Sequence, residues 1–453
     1  MIYHDFKTYH EAFSDIWVHT NIVNPIHELV LLREIIPWDE IILELSNFYD
    51  KKQGPIGKSI RMMIALETIK HYEQLSDRQV VKQVKENRYI QYFCNVPDQR
   101  LSTFLHPSSL CTFRKRLGET GTQIIEAAVF DALLKAGIIQ PDMALIDATV
   151  LENDVLYPND VALMVNAFEK MVAFAHQAHI PLWWDNQQIK QFWREFNLNK
   201  RKDRQHWLIV FFLLFIPALE TFESLVNAWP ISNNPKKRSK TLKRKERAEK
   251  LLQLLYLLGE QTAKKLNGDT SIDNRIVSLN EVDARPIKKG KIHPSCEFGT
   301  TLQMSFNRDG FMITAENFIG YPSEKKLFPA TLQQFIQRMQ EPPCIAVADL
   351  GVRSQANFET AASHQVKQTF LGRSEDVDEE NRDNCQRARS ATEGFIAVSK
   401  NIRGFGRSLY KGFTGDRVWT LLCQTAYNLK KFIQLWEKEA LSEESLMKLG
   451  LLG

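Results

Sequence analysis

Met143-Ala-Leu-Ile-Asp-Ala-Thr-Val150 is where the character of the chain changes. A continuous apolar run closed off upstream by Pro141 has the composition of a buried strand. Everything before it reads as helix, and strands recur after it. Asp147 interrupts the run. A buried carboxylate costs several kcal/mol unless it is paired, hydrogen-bonded or metal-bound, so Asp147 needs a chemical explanation. Cys344-Ile-Ala-Val-Ala-Asp349 repeats the pattern, a short apolar strand ending in an aspartate. The reading is a multidomain α+β protein.

Working outward toward the start, residues 1–138 read as an all-helical domain. Apolar positions 60, 63, 64, 66 and 69 form a helical stripe after the breaker Gly54-Pro55. Ser76 with Gln79 three residues on is a capping box, followed by Val80, Val81 and Val84. Pro107-Ser-Ser109 opens a helix containing Phe113-Arg-Lys-Arg-Leu117, and another runs from Thr122 to Ala136, closed by Gly137. Lys58, Arg61, Lys82, Lys85, Arg88, Arg114, Lys115 and Arg116 punctuate these helices. Short basic helices joined by tight turns resemble a helix-turn-helix DNA reader; the plainer alternative is a packing domain with solvated cations.

Downstream, Glu152 and Asp154 read as turn formers, and residues 161–268 read as a helical insertion. Its tryptophans Trp183, Trp184 and Trp193 are assigned to the core. The apolar run from Trp207 to about Leu219, crossing Pro217, is read as a buried helix, short of the ~20 residues that span a bilayer. The strongest basic run holds Lys236, Lys237, Arg238, Lys240, Lys243, Arg244 and Lys245. Such runs bind phosphate or are merely solvated. Strands are expected at 276–278, 297–306, 311–318 and 366–371, with Asn307-Arg-Asp-Gly310 turning a hairpin. His293 and His364 stand alone. An acidic linker, 375–383, precedes the next helix, and an amphipathic helix at 418–438 closes the fold.

That next helix is Arg387-Ala-Arg-Ser-Ala-Thr-Glu-Gly-Phe-Ile-Ala-Val-Ser-Lys400. At ~100° per residue, Arg389, Glu393 and Lys400 share one face. Phe395, Ile396 and Val398 are then expected to pack inward. A glycine-rich basic loop follows, Gly404 to Asp416, with Arg403 and Arg407 at its start. Arg389 and Glu393 alone would be an ordinary i,i+4 ion pair. Glu393 together with Asp147 and Asp349 makes a set of hard oxygen ligands. Such a set suits Mg²⁺ or Mn²⁺, each ion taking one or two carboxylates, waters and phosphate. Two ions ~3.5–4 Å apart serve in-line displacement at a phosphodiester, and Arg389, Lys400, Arg403 and Arg407 would hold DNA phosphates.

The composition permits this and excludes other classes. With 453 residues, 44% apolar and 25% charged, the chain has the make-up of a soluble protein with two or three domains. A net charge of +4 leaves DNA binding to local patches. Six cysteines without a CxxC pair argue against a zinc site or disulfide framework and suit a reducing cytosol. The first thirty residues lack a signal-peptide core.

The order strand-Asp, helical insertion, hairpin, strand-Asp, Arg-x3-Glu-x6-Lys resembles the DDE transposases of bacterial insertion sequences. Asp147 in Ile-Asp-Ala-Thr, Asp349 in Val-Ala-Asp-Leu-Gly-Val-Arg-Ser, and Glu393 match the family's acids; Gln386 stands where a tyrosine is usual. The resemblance implies that 1–138 recognises terminal inverted repeats. It implies that 139–438 is a ribonuclease-H-like catalytic domain interrupted by the 161–268 insertion, with 439–453 a tail. It further implies Mg²⁺- or Mn²⁺-dependent strand cleavage and transfer into target DNA, in the cytoplasm at the nucleoid and away from membranes. Joining two ends in one event implies a homodimer. The rivals are a nuclease that cuts without transfer and a domesticated copy that only binds DNA.

Overall fold

The computed structural model describes residues 13–50, 57–98, 101, 104–155, 159–199, 204–269, 271–288 and 296–451. The breaker Gly54-Pro55 and His293 lie outside them. In chain order the helices before the first strand are α1 Asp15–Asn21, α2 Glu28–Ile35, α3 Trp38–Leu45, α4 Ile60–Tyr72, α5 Asp77–Glu86, α6 Arg88–Phe93 and α7 Ser108–Lys135. Then come β1 Met143–Glu152, α8 Asp160–Ala178, α9 Asn186–Asn199, α10 Arg204–Asn227, α11 Pro235–Leu266, β2 Arg285–Ile287, β3 Glu297–Phe306 and β4 Met312–Ile319. The chain continues through α12 Glu324–Met339, β5 Ile345–Ala348, α13 Gln355–Ser363, β6 Gln368–Leu371, α14 Glu379–Ile402, α15 Gly412–Glu437 and α16 Glu443–Lys448. The protein is α+β.

The chain divides into two compact units. One holds residues 1–152 and 300–453, the other 153–299. In the first, β4 and β1 both pair with β3, and β5 and β6 follow β1, giving the order β4-β3-β1-β5-β6. The hairpin β3-β4 is antiparallel and β1, β5 and β6 are parallel. Helix α15 is the spine of this unit, packed against α4, α7 and β4. Its polar side chains complete the outer strand: Asn428 Oδ1 accepts from the Met312 amide at 2.9 Å, and Asn428 Nδ2 donates to the Met312 carbonyl at 2.9 Å. Gln424 adds a donor to the Ile313 carbonyl at 3.1 Å. Strand groups otherwise left open are thereby satisfied inside the fold.

The N-terminal helices follow the expected signals. Ser59 caps α4, and Ser76 with Gln79 forms the capping box of α5. Gly118, at φ +58°, ψ −156°, breaks α7 into the two expected helices. The second unit is helical apart from β2, which pairs with Glu297–Gly299 at the start of β3. Asn234 caps α11, so the helix takes in the whole basic run. Asp160 is the unit's buried anchor, ion-paired with Lys265 and, at 2.6 Å, with Arg275.

Several expectations change. Ile276-Val-Ser278 is not a strand. The Gln261 side chain takes the place of a neighbouring strand, accepting from the Ile276 amide at 2.9 Å and donating to its carbonyl at 3.1 Å. Glu152 is no turn former; it ends β1. Helix α10 runs unbroken through Pro217, so Gln205–Asn227 is long and apolar enough to cross a membrane by length and composition. Phe211, Phe215, Ala218 and Phe222 on it are buried in the second unit's core, while Leu213 is exposed. Trp184 is buried there, but Trp183 is 52% exposed, its indole donating to Thr221. All six cysteines are free.

Candidate active site

Register brings the two aspartates together. Parallel pairing matches Met143 with Ile345 and Leu145 with Val347. Continued by two residues, it sets Asp147 level with Asp349, on the same face of neighbouring strands ~4.8 Å apart. Both are half-buried. Asp147 lies within β1, and its Oδ1 accepts from the Ala148 amide at 2.6 Å. Asp349 leaves β5 into a single 3₁₀ turn, Leu350–Val352. Its Oδ1 is buried without a hydrogen-bond partner.

Helix α14 supplies the rest. Its buried side chains are Cys385, Ala388, Thr392 and Ser399, small residues at helical spacing. They let the helix lie close on β1 and β5, so that residues beside this stripe reach the strand ends. Ile146, Asp147, Val347, Ala348, Asp349, Arg389, Thr392 and Glu393 line one cavity of about 60 Å³. Glu393 is exposed and Arg389 half-buried. Phe395 and Ile396 pack on the core as expected; Val398 is instead 37% exposed. Among the described residues, no three Asp, Glu, His or Cys side chains stand close enough to ligate one ion.

The loop after Asp349 is held from below. Asp376 pairs with Arg353 and accepts from the Leu371 and Arg373 amides at 2.9 and 3.2 Å. Asn357 donates to the Val352 carbonyl at 2.7 Å. Gly372, at φ +88°, lies so near Leu350 that a Cβ would fall 2.7 Å from its amide nitrogen. Gln386, where the resemblance expects tyrosine, donates to Ser374 Oγ at 3.2 Å. Tyr321, between β4 and α12, is a neighbour that no sequence pattern singles out. Burial first, then Glu324, Asp349 and Asp147, push its phenol above its usual range.

Lys400 and Arg407 do not line the carboxylate cavity. They border a second groove, with residues of α4 and α5. Arg407 also pairs with Glu152 at 3.2 Å, and the loop runs alongside the end of β1 through the Ser408 amide to the Glu152 carbonyl, 2.8 Å. Arg403 caps α14. In the second unit Lys236, Lys240, Lys243 and Arg244, with Gln177 and Arg247, border an exposed basic concavity on α11; Lys237, Arg238 and Lys245 lie on the same helix.

Residues 18–116 match the family described as Transposase domain (DUF772). Over 164 residues the chain is 30% identical to an uncharacterized protein, ORF8 in the nfe locus, of Rhizobium meliloti, covering 36% of this chain and 79% of that one. The chain belongs to the transposases of insertion sequences. No solved structure matches it. The matched residues of this transposase take in α2 to α6 and parts of α1 and α7, and none of the three acids.

Proposed function

We propose that this transposase cuts and joins DNA at the ends of its element, using Asp147, Asp349 and Glu393. The observation carrying this is the shared cavity: two aspartates level on adjacent parallel strands, closed by a helix bearing Glu393 and Arg389. A hairpin beside three parallel strands, covered by α14, supports a ribonuclease-H-like reading of 139–438. The match over 18–116 supports a role of the N-terminal helices in holding terminal inverted repeats. The rest of the organisation is proposed with it: the helical insertion at 161–268, the tail at 439–453, and two copies acting on paired ends.

The donor set suits a hard divalent cation, two carboxylates with open positions for water and phosphate. The orphaned Asp349 Oδ1 is an atom that an ion would satisfy. Asp147 and Asp349 would hold Mg²⁺ or Mn²⁺, with Glu393 facing the same space. When bound, such ions activate a water or 3′-hydroxyl and neutralise the leaving oxygen. Arg389 can pair with a non-bridging phosphate oxygen and fix the scissile group over the strand ends. Val347, on the same face of the sheet as the aspartates, adds an apolar side chain to the lining, while Ile146 and Ala348 turn theirs into the core on the other face.

The test uses duplex DNA carrying the sequences that flank the reading frame, incubated with the protein and Mg²⁺. Nicking at the element boundary, followed by joining to a second duplex, is expected. Cutting without joined product would make this a nuclease; binding without cutting would make it a DNA-binding relic.

A further inference from the structure

The second groove, about 360 Å³, lies within the first unit and draws its walls from two distant parts of the chain. Lys70, His71, Gln74, Leu75, Ser76 and Gln79 come from α4, α5 and their connection; Lys400, Asn401, Gly404, Gly406 and Arg407 come from the end of α14 and the loop beyond. Among the described residues, no acidic side chain lines it. Burial, with Lys70 and Arg114 nearby, drives the His71 imidazole well below its usual range, so the groove's cations are Lys70, paired with Asp77, Arg407, paired with Glu152, and Lys400. Amides, a hydroxyl and backbone at two glycines make up the remaining polar surface.

A buried network fixes this wall. Tyr410 Oη accepts from Lys70 Nζ at 2.8 Å and lies 3.1 Å from His71 Nε2. Lys70 pairs with Asp77 at 2.7 Å, and Arg114 bridges Glu67 and Asp77 at 2.7 Å each. The Trp419 indole donates to the Gly404 carbonyl at 2.8 Å. The loop after α14 is thus tied to the helices matched as the transposase domain.

We propose that this groove grips the phosphodiester backbone of the bound DNA end, with Gln74, Ser76 and Gln79 contacting it on one side and Lys400, Asn401 and Arg407 on the other. The proposal rests on the function argued above and adds where the end lies. Lys400 is seven residues beyond Glu393, about 10 Å along the helix. A strand whose scissile phosphate sits at the acids therefore reaches the groove about three nucleotides away, at ~3.4 Å each. One strand would be held at once by the recognition helices and by the catalytic helix.

Gln79→Glu and Ser76→Asp test this without disturbing the fold, because each keeps a residue able to complete the cap of α5. Gln123→Glu, exposed on α7 and outside the groove, is the control. Binding of the end duplex is followed by fluorescence anisotropy across a salt series, with thermal unfolding alongside. The expected result is several-fold weaker binding for both groove variants, a salt slope shallower by roughly one, and an unchanged Tm. Gln123→Glu should bind as the wild type does. Groove variants with wild-type affinity and slope overturn the proposal; if Asp349→Asn still abolishes cleavage in that case, the function stands. A wild-type protein that binds no end duplex overturns both.

Discussion

Asp349 is the residue whose chemistry is hardest to explain without a ligand. It lies at the end of a buried strand with one oxygen shut away and unpartnered, a condition that native proteins rarely tolerate. Asp147 differs in having a local partner, the next amide. Glu393 differs again, exposed on its helix. Glu393→Gln should therefore change stability by no more than about 0.5 kcal/mol, while cleavage falls by about a thousandfold, as loss of several kcal/mol of charge stabilisation requires. Parallel thermal melts and nicking assays check this, and a variant that nicks normally removes Glu393 from the site. All three acids were legible because each interrupts a local pattern: aspartates in apolar strands, a glutamate between two cations. Thr392 and Tyr321 were not. A helical threonine carries no periodic signal, and a tyrosine in a connection is placed only by the fold.

At the scale of elements, short apolar strands and capped helices were readable because their signals are local. The 276–278 segment is no strand: an apolar triplet looks alike whether a strand or the Gln261 amide satisfies its backbone. The expected helix stops near Leu219, yet α10 continues to Asn227, its stripe carried on by the buried Phe222, Leu225 and Val226. The anchor of the second unit was invisible too, because Asp160, Lys265 and Arg275 meet only after folding. Asp160→Asn should destabilise that unit by about 3 kcal/mol, the cost of breaking a buried ion pair, read by chemical denaturation. Burial raises this carboxyl's pKa, but Lys265 and Arg275 outweigh it and leave it below its ordinary 3.8. The folded form thus binds its proton less readily than the unfolded one. The stability it contributes is present above about pH 4 and is lost as pH falls through the folded pKa. A unit whose stability is flat with acidification below pH 4 would contradict that.

For the whole molecule, a net charge of +4 means that the proposed DNA binding would rest on a few local patches. One is the α11 run in the second unit. Replacing Lys236, Lys240, Lys243 and Arg244 by alanine should weaken DNA binding and flatten its salt dependence by roughly 0.9 for each phosphate no longer neutralised; an unchanged slope would make the run merely solvated. The composition could set that expectation, but the sequence could not show which face of α11 gathers its cations.

The two level aspartates and Glu393 are proposed to perform metal-dependent strand cleavage on DNA held elsewhere. Asp349→Asn measures it most directly, assayed for end-duplex binding and for nicking in Mg²⁺ on the same preparation. Wild-type affinity with nicking lowered by about a thousandfold is the predicted result. Nicking at the wild-type rate would contradict it.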